Sequence, residues 1–395
     1  MDKNYREDFP ILNGPHSLVY FDSAATTLKP ASVITAVTRF YTEHTANISR
    51  SHHRNAQIST ELFEDAREKV ATLLNCDSSE IVFTQNATDS VNLVASCLSC
   101  KMESQFIMST LEHNSAYLPF KINKSVKFVN LDANGFWDLN HFKDLLTHET
   151  KLVVVSHVSN VTGNIQPLKD IISLAKEKNA LVLVDASQSI AHLPINVKNL
   201  DVDFLVFSGH KMLGPSGIGV LYGKKDLLSD LQHYRVGGGM TARASRDTIT
   251  FNDIPHLFEA GTPNIEGVLG LGKACEYLLV NSREKIHKYL QKLRDYFQQK
   301  LKHAGGVRML HEKHHDSVPI FTFELGNKNV DLNYVARILS ENYNIAVNSG
   351  MQCAHLFYDT LKKSAGIRVS LYIYNTQYEI DQFFYALSDI QYLIE

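Results

Sequence analysis

The sequence predicts a doubly wound α/β domain followed by a smaller α+β unit. Three observations carry this: helical periodicity alternating with short β-rich runs from about residue 55 to 275, a glycine cluster at Gly237-Gly-Gly239 that ends the alternation, and a second set of β-rich runs beyond residue 310. Leu62, Ala66, Val70 and Leu73/Leu74 recur at helical spacing, and Ile81-Val-Phe83 then reads as a strand. A helix through Val91 and Leu98 follows. Later strands are Gln105–Met108, Val126–Val129, Leu152–Val155, Leu181–Val184, Asp203–Phe207 and Ile218–Leu221, so the central, mostly parallel sheet has about seven strands. After Gly261-Thr-Pro-Asn264 one long amphipathic helix is expected, continuing to about His303 and marking the domain boundary. The C-terminal unit carries strands near Val318–Leu325, Ile345–Val347 and Ile367–Leu371, and Thr376-x-x-Glu379 forms a capping box ahead of a last helix through Ile380, Phe384, Leu387 and Ile390. The expected division is residues 1–20 packing on the small domain, 21–262 as the large domain and 263–395 as the small domain.

The 395 residues are 44% hydrophobic and 21% charged, an ordinary composition for a chain with a large core. The 39 basic and 42 acidic residues give a formal charge of −3 without a basic stripe, so nucleic acid is not the expected partner. No apolar stretch approaches the roughly 20 residues that span a bilayer, and the polar start Met1-Asp-Lys-Asn-Tyr-Arg-Glu-Asp8 lacks an apolar signal core, which places the chain in the cytoplasm by expectation. Five cysteines do not make a disulfide framework. Cys97-Leu-Ser-Cys100 lacks a second ligand pair and reads as structural, and no metal site is expected.

The chemistry is carried by the run Leu181–Val184, which ends in Asp185, and the run Asp203–Phe207, which leads into Ser208-Gly-His-Lys211, 26 positions beyond that aspartate. A carboxylate ending one buried strand keeps a pyridinium nitrogen protonated, and a lysine just past another forms a Schiff base with an aldehyde, so the pair reads as a pyridoxal-phosphate (PLP) site. Asp185 as a cap on the following helix is the competing assignment. Ser208, His210 and the run Gly214-Pro-Ser-Gly-Ile-Gly219 supply the hydroxyl, imidazole and close backbone approach that a phosphate requires, and Gln188 lies one turn beyond Asp185.

Six further stretches occur in order: Phe21-Asp-Ser-Ala-Ala-Thr-Thr27, Leu111-Glu-His113, Ser156-His-Val-Ser-Asn-Val-Thr-Gly163, Phe258-Glu-Ala-Gly-Thr-Pro-Asn264, Ser349-Gly-Met-Gln-Cys-Ala354 and Arg368-Val-Ser-Leu371. With Val184-Asp-Ala-Ser-Gln188 and Ser208–Pro215 they resemble the class V aminotransferase-like, fold-type I PLP enzymes, and within them the cysteine desulfurases of the SufS and CsdA kind. The resemblance implies that Lys211 carries the cofactor, Asp185 pairs with its ring nitrogen, Gln188 bonds its ring oxygen and His113 stacks on its face, with Lys211, Cys353 and His113 as the catalytic residues. It implies a phosphate site of Ala87, Thr88, Ser208 and His210, with Thr262 reaching the site of the other subunit in an obligate homodimer. Arg368 and Asn160 would hold the substrate carboxylate, Arg50 and Ala25 would also bind the substrate, and Cys353 would take the sulfur of L-cysteine as a persulfide. An acceptor of the SufE or SufU type would receive it for iron–sulfur cluster or other sulfur biosynthesis. Alternatives keep the cofactor and change the reaction: selenocysteine lyase, cysteine lyase, or a class V epimerase or transaminase. A non-catalytic scaffold would have no chemical need for Lys211, Asp185, His113 and Arg368 together. The chain departs from the desulfurase pattern at Ser49 and Ser51 beside Arg50, at Asn348 where relatives usually carry arginine, and at Met351-Gln352 where they often carry two histidines.

Overall fold

The computed structural model describes residues 4–14, 18–49, 51–98, 104–122, 125–312, 314–326 and 330–390. Its centre is a sheet of β1 (Ile81–Thr84), β2 (Gln105–Ser109), β3 (Ser125–Val129), β4 (Thr150–Ser156), β5 (Leu181–Asp185), β6 (Phe204–Ser208) and β7 (Gly219–Gly223), in the order β1-β7-β6-β5-β4-β2-β3. Only β7 runs against its neighbours. Each of the seven apolar runs read from sequence is one of these strands, with ends within two residues.

Strand alternation divides the side chains between two apolar layers. Val153, Val155, Val182, Val184, Leu205 and Phe207 face one layer, which they share with Phe63, Ala66 and Val70 of helix α1 (Arg54–Leu74). Leu152, Val154, Leu183, Phe204 and Val206 face the other, with Val91 and Val94 of α2 (Ala87–Cys97) and Ala116 and Phe120 of α3 (Asn114–Lys121). Burial on both faces explains why the strands read as continuous apolar runs rather than alternating ones.

The long helix expected after Asn264 is instead two helices, α4 (Ile265–Val280) and α5 (Arg283–Leu301). Asn281 and Ser282 interrupt it because such side chains compete for backbone groups. Ser282 adopts φ 56° and its side chain accepts the Lys285 amide, which starts α5 as an N-cap. Beyond it, β8 (Val307–Met309), β9 (Ile320–Leu325), β10 (Asn348–Gly350) and β11 (Gly366–Ser370) form an antiparallel sheet in the order β8-β9-β11-β10. Ile345-Ala346 pairs in parallel with Val19-Tyr20 rather than joining that sheet. The last helix, α6 (Gln377–Asp389), opens with the expected capping box: the Glu379 amide donates to Thr376 Oγ1 at 3.3 Å and the Thr376 amide to Glu379 Oε2 at 2.8 Å.

Residues 21–27 thread between the two sheets. The Ser370 amide donates to Phe21 O at 2.7 Å, the Ala24 amide to Ser370 Oγ at 2.9 Å, and the Thr27 amide to His210 O at 2.9 Å. This segment places the C-terminal ends of β4, β5 and β6 against β11, and that crevice is where open parallel sheets bind ligands. Among the described residues no helix is long and apolar enough to cross a membrane.

Candidate active site

A cavity of about 550 Å³ lies at the ends of β4, β5 and β6, within the range of small-molecule sites. It is lined by Ala25, Ala87, Thr88, His113, Asn160, Asp185, Gln188, Ser208, His210, Lys211, Cys353 and Arg368, so twelve of the fourteen residues named from sequence converge on it. Thr262 is exposed and does not line it. Arg50 lies outside the described residues, as does Cys100, the second cysteine of the C-x-x-C.

Lys211 ends the turn Gly209–Lys211 that follows β6. The turn is fixed through its backbone: the His210 carbonyl accepts from the Thr27 amide at 2.9 Å, Thr26 Oγ1 at 3.1 Å and Thr27 Oγ1 at 3.0 Å. Burial holds the Lys211 ammonium below the ordinary lysine range, with Arg368 adding to the effect and Asp185 opposing it. The amine therefore reaches its neutral, nucleophilic form more readily than a surface lysine. Asp185, ending β5, is buried and accepts the Ser187 amide at 2.9 Å while also lining the cavity, so it caps the following turn and faces the site at once. Gln188 Nε2 donates to Ala24 O at 2.8 Å, which orients its amide along the cavity wall.

The start of α2 gathers polar groups at one edge of the cavity. Asn86 caps the helix through the Asp89 amide at 2.9 Å, and the Ala87 amide donates to Ser208 Oγ at 2.8 Å, which leaves the Ser208 hydroxyl hydrogen available to a ligand. Thr88 Oγ1 and Ser115 Oγ are 2.7 Å apart at the same edge. Helix-end amides, the hydroxyls of Ser208, Thr88 and Ser115 and the adjacent His210 match the donor set of a phosphate. Burial, with Lys211 and Lys29 beside it, pushes the His210 imidazole down to about 4.

His113 caps α3, its Nδ1 accepting the Ser115 amide at 3.1 Å. This assigns the proton of the neutral ring to Nε2. Burial first, and then Lys211, pushes its pKa down to about 4, so the ring is an uncharged plane suited to lying against a heteroaromatic. Arg368 is buried in β11; Nη1 donates to Asn160 O at 3.2 Å, Nη2 to Asp22 Oδ1 at 3.2 Å, and buried Nε has no partner. An under-satisfied guanidinium lining a cavity is a fork for a carboxylate. Asn160 spends an amide N–H on Gln352 O at 2.7 Å, so it holds the cysteine turn as well as Arg368. Cys353 is exposed at the cavity mouth with φ 55°, and the Asn114 amide donates to its carbonyl at 2.8 Å.

Other residues belong to this site without having been singled out from sequence. Asp22 pairs with Arg368 and accepts Asn348 Nδ2 at 3.3 Å. Glu112, next to His113 in sequence, accepts from Ser109 Oγ at 2.8 Å and from the amide and hydroxyl of Ser156 at 2.7 and 2.6 Å. Both stood inside stretches already quoted, Phe21-Asp-Ser and Leu111-Glu-His, so an acidic residue within such a stretch was the available signal. The donor set suits PLP at each end: a depressed lysine for its aldehyde, a buried acid for its ring nitrogen and a helix start for its phosphate.

The family model for aminotransferase class-V matches residues 19–383. A probable cysteine desulfurase of Synechocystis is 39% identical, with 97% of this chain and 94% of that protein covered. The structure of a cysteine desulfurase from Thermococcus onnurineus superposes with a TM-score of 0.92 at 31% identity, covering 100% of this chain and 98% of the other. Cysteine desulfurase CsdA from Escherichia coli does so with 0.91 at 34% identity, covering 99% and 98%. On a match that spans nearly its whole length, the chain belongs to the aminotransferase class-V family.

Proposed function

We propose that this protein is a PLP-dependent cysteine desulfurase that moves the sulfur of L-cysteine onto Cys353 and releases L-alanine. The observation that carries the reading is one cavity lined by Lys211, Asp185 and Arg368 with an exposed thiol at its mouth. When bound, PLP supplies an aldehyde for capturing the substrate amine and a ring that stores an electron pair. Arg368 holds the α-carboxylate and fixes which end of the amino acid faces the cysteine. Lys211, its ammonium destabilised by burial, takes the proton from Cα and can return it. With the cofactor bound, Asp185 would hold a proton on its ring nitrogen and His113 would supply a neutral plane for its ring. Cys353, as thiolate, attacks the substrate sulfur; the S–S bond forms as the Cβ–S bond breaks, and the electron pair left at Cβ is protonated to the methyl group of alanine.

The same proposal includes a homodimer in which Thr262 serves the partner's phosphate site. Thr262 is exposed, and its segment is anchored from below by the Glu259 carboxylate, which takes Arg67 Nη1 at 2.7 Å and Nη2 at 2.9 Å. It also includes delivery of the sulfur to a thiol of a SufE- or SufU-type protein, for which the exposed Cys353 is accessible, and a reducing, cytoplasmic setting suited to the free thiols Cys76, Cys97, Cys275 and Cys353. The test is product analysis with L-cysteine for the wild type and Lys211→Ala. The wild type should form alanine and no pyruvate, and Lys211→Ala should lose turnover by at least about a thousandfold. Pyruvate and sulfide as the products would replace this reading with β-elimination.

A further inference from the structure

The turn that presents Cys353 is an unfavourable piece of backbone held in place from several sides. Gln352 and Cys353 are consecutive non-glycine residues with φ of 45° and 55°, a left-handed pair that persists only when its surroundings fix it. The Gln352 side chain bridges the turn. Its Nε2 donates to Gly366 O at 3.1 Å and approaches Asn348 Oδ1 at 3.4 Å, while Tyr358 donates its hydroxyl to Oε1. Two further bonds hold the backbone, from Asn160 Nδ2 to Gln352 O at 2.7 Å and from the Asn114 amide to Cys353 O at 2.8 Å. Met351 and Ala354, on either side, pack with Leu111, Val161, Phe357 and Tyr358.

The contacts around this side chain are close and partly buried. Tyr358 is fully buried and burial raises its phenol pKa, so it remains a hydrogen donor at any working pH. At Gly366 a Cβ would lie 2.9 Å from the Tyr358 hydroxyl, so a larger residue in β11 would dislodge the donor. The polar chain also runs onward: Asn348 Nδ2 donates to Asp22 Oδ2 at 3.3 Å, and Asp22 Oδ1 accepts Arg368 Nη2 at 3.2 Å. The cysteine turn and the carboxylate-binding arginine are therefore fixed in one frame, with Gln352 as the link on the thiol side.

From this geometry we infer that Gln352 is a positioning residue for Cys353, setting the thiol at a fixed place relative to an amino acid whose carboxylate sits on Arg368. The inference rests on the reading of Cys353 as the sulfur-accepting nucleophile. It also gives a role to a position at which the chain departs from the pattern it resembles. Gln352 lines the same cavity, but its side-chain amide is engaged by Gly366 O and the Tyr358 hydroxyl, so its loss should act on sulfur transfer more than on the preceding events.

The test uses the full-length holoenzyme and reads two quantities: the change in cofactor absorbance on titration with L-cysteine, and the rate of alanine formation. Gln352→Ala should keep the absorbance change with an apparent Kd within about twofold of wild type while kcat falls at least about tenfold. Tyr358→Phe, which removes only the donor to Oε1, should shift kcat in the same direction by less, and it carries the test if Gln352→Ala does not fold. A kcat within twofold of wild type in both variants would overturn the inference, as would parallel loss of L-cysteine binding and kcat, which would mark Gln352 as merely structural. Cys353→Ser in the same assay separates the two levels. If it retains wild-type alanine formation, the nucleophile reading fails and takes this inference with it; if it is inactive while Gln352→Ala is unimpaired, only the positioning role fails.

Discussion

At Glu112 burial and hydrogen bonding oppose each other most directly. Three donors from Ser109 and Ser156 favour its carboxylate, yet burial outweighs them and, with Asp185 nearby, pushes its pKa up to about 7 from 4.5. A carboxyl that binds its proton more tightly when folded contributes stability that is fully present below about pH 4.5 and is lost as pH rises through about 7. The slope from this one group is at most about 1.4 kcal/mol per pH unit. Glu112→Gln should therefore flatten the fall in stability between about pH 5 and about pH 7, measured as the wild-type-minus-variant difference in urea midpoints. An unchanged difference across that range would show that Glu112 does not titrate there. The adjacent His113 has an opposite tendency, since burial lowers its pKa, and comparing the variant with wild type cancels that contribution.

Among the elements, α2 matters most to the proposed site, because its first turn is the proposed phosphate cradle and its place is set by Gly219 on β7. A Cβ at Gly219 would lie 2.5 Å from the Asn86 backbone, so only glycine lets the strand and the helix start approach this closely. Gly219→Ala should weaken PLP retention at least about tenfold in equilibrium dialysis while the far-ultraviolet spectrum is kept, and wild-type retention would contradict this role. The glycine run 214–219 was legible in sequence as a close-approach signal, and the central strands were legible because fully buried β-rich runs are hard to mistake. β8 and β10 were not, since each has three residues and neither is fully buried. The break at Asn281-Ser282 was missed because amphipathic periodicity continues across it and only the left-handed Ser282 reveals it. In the site, twelve residues named from type and position line one cavity. Asp22, Glu112 and Tyr358 were not legible, because their roles come from contacts such as Asp22 with Arg368 across 346 positions of chain.

For the whole molecule, the two sheets make one crevice, with Lys211 and Asp185 supplied by the central sheet and Arg368 by β11. The proposed homodimer adds Thr262 across the subunit boundary, and mixed dimers test that. Co-expressed Lys211→Ala and Thr262→Ala chains should form a heterodimer in which one site regains wild-type cofactor affinity, because the intact lysine and the intact threonine then meet across the interface. No recovery would place Thr262 with its own chain's site. The measurement that bears most directly on the central claim is a single-turnover reaction of holoenzyme with L-cysteine in the absence of reductant, followed by mass analysis of the peptide containing Cys353. The expected result is one added sulfur atom on Cys353 for each alanine released, with neither formed by Cys353→Ser; alanine released at an undiminished rate by Cys353→Ser, with no sulfur on the wild-type cysteine, would contradict the account.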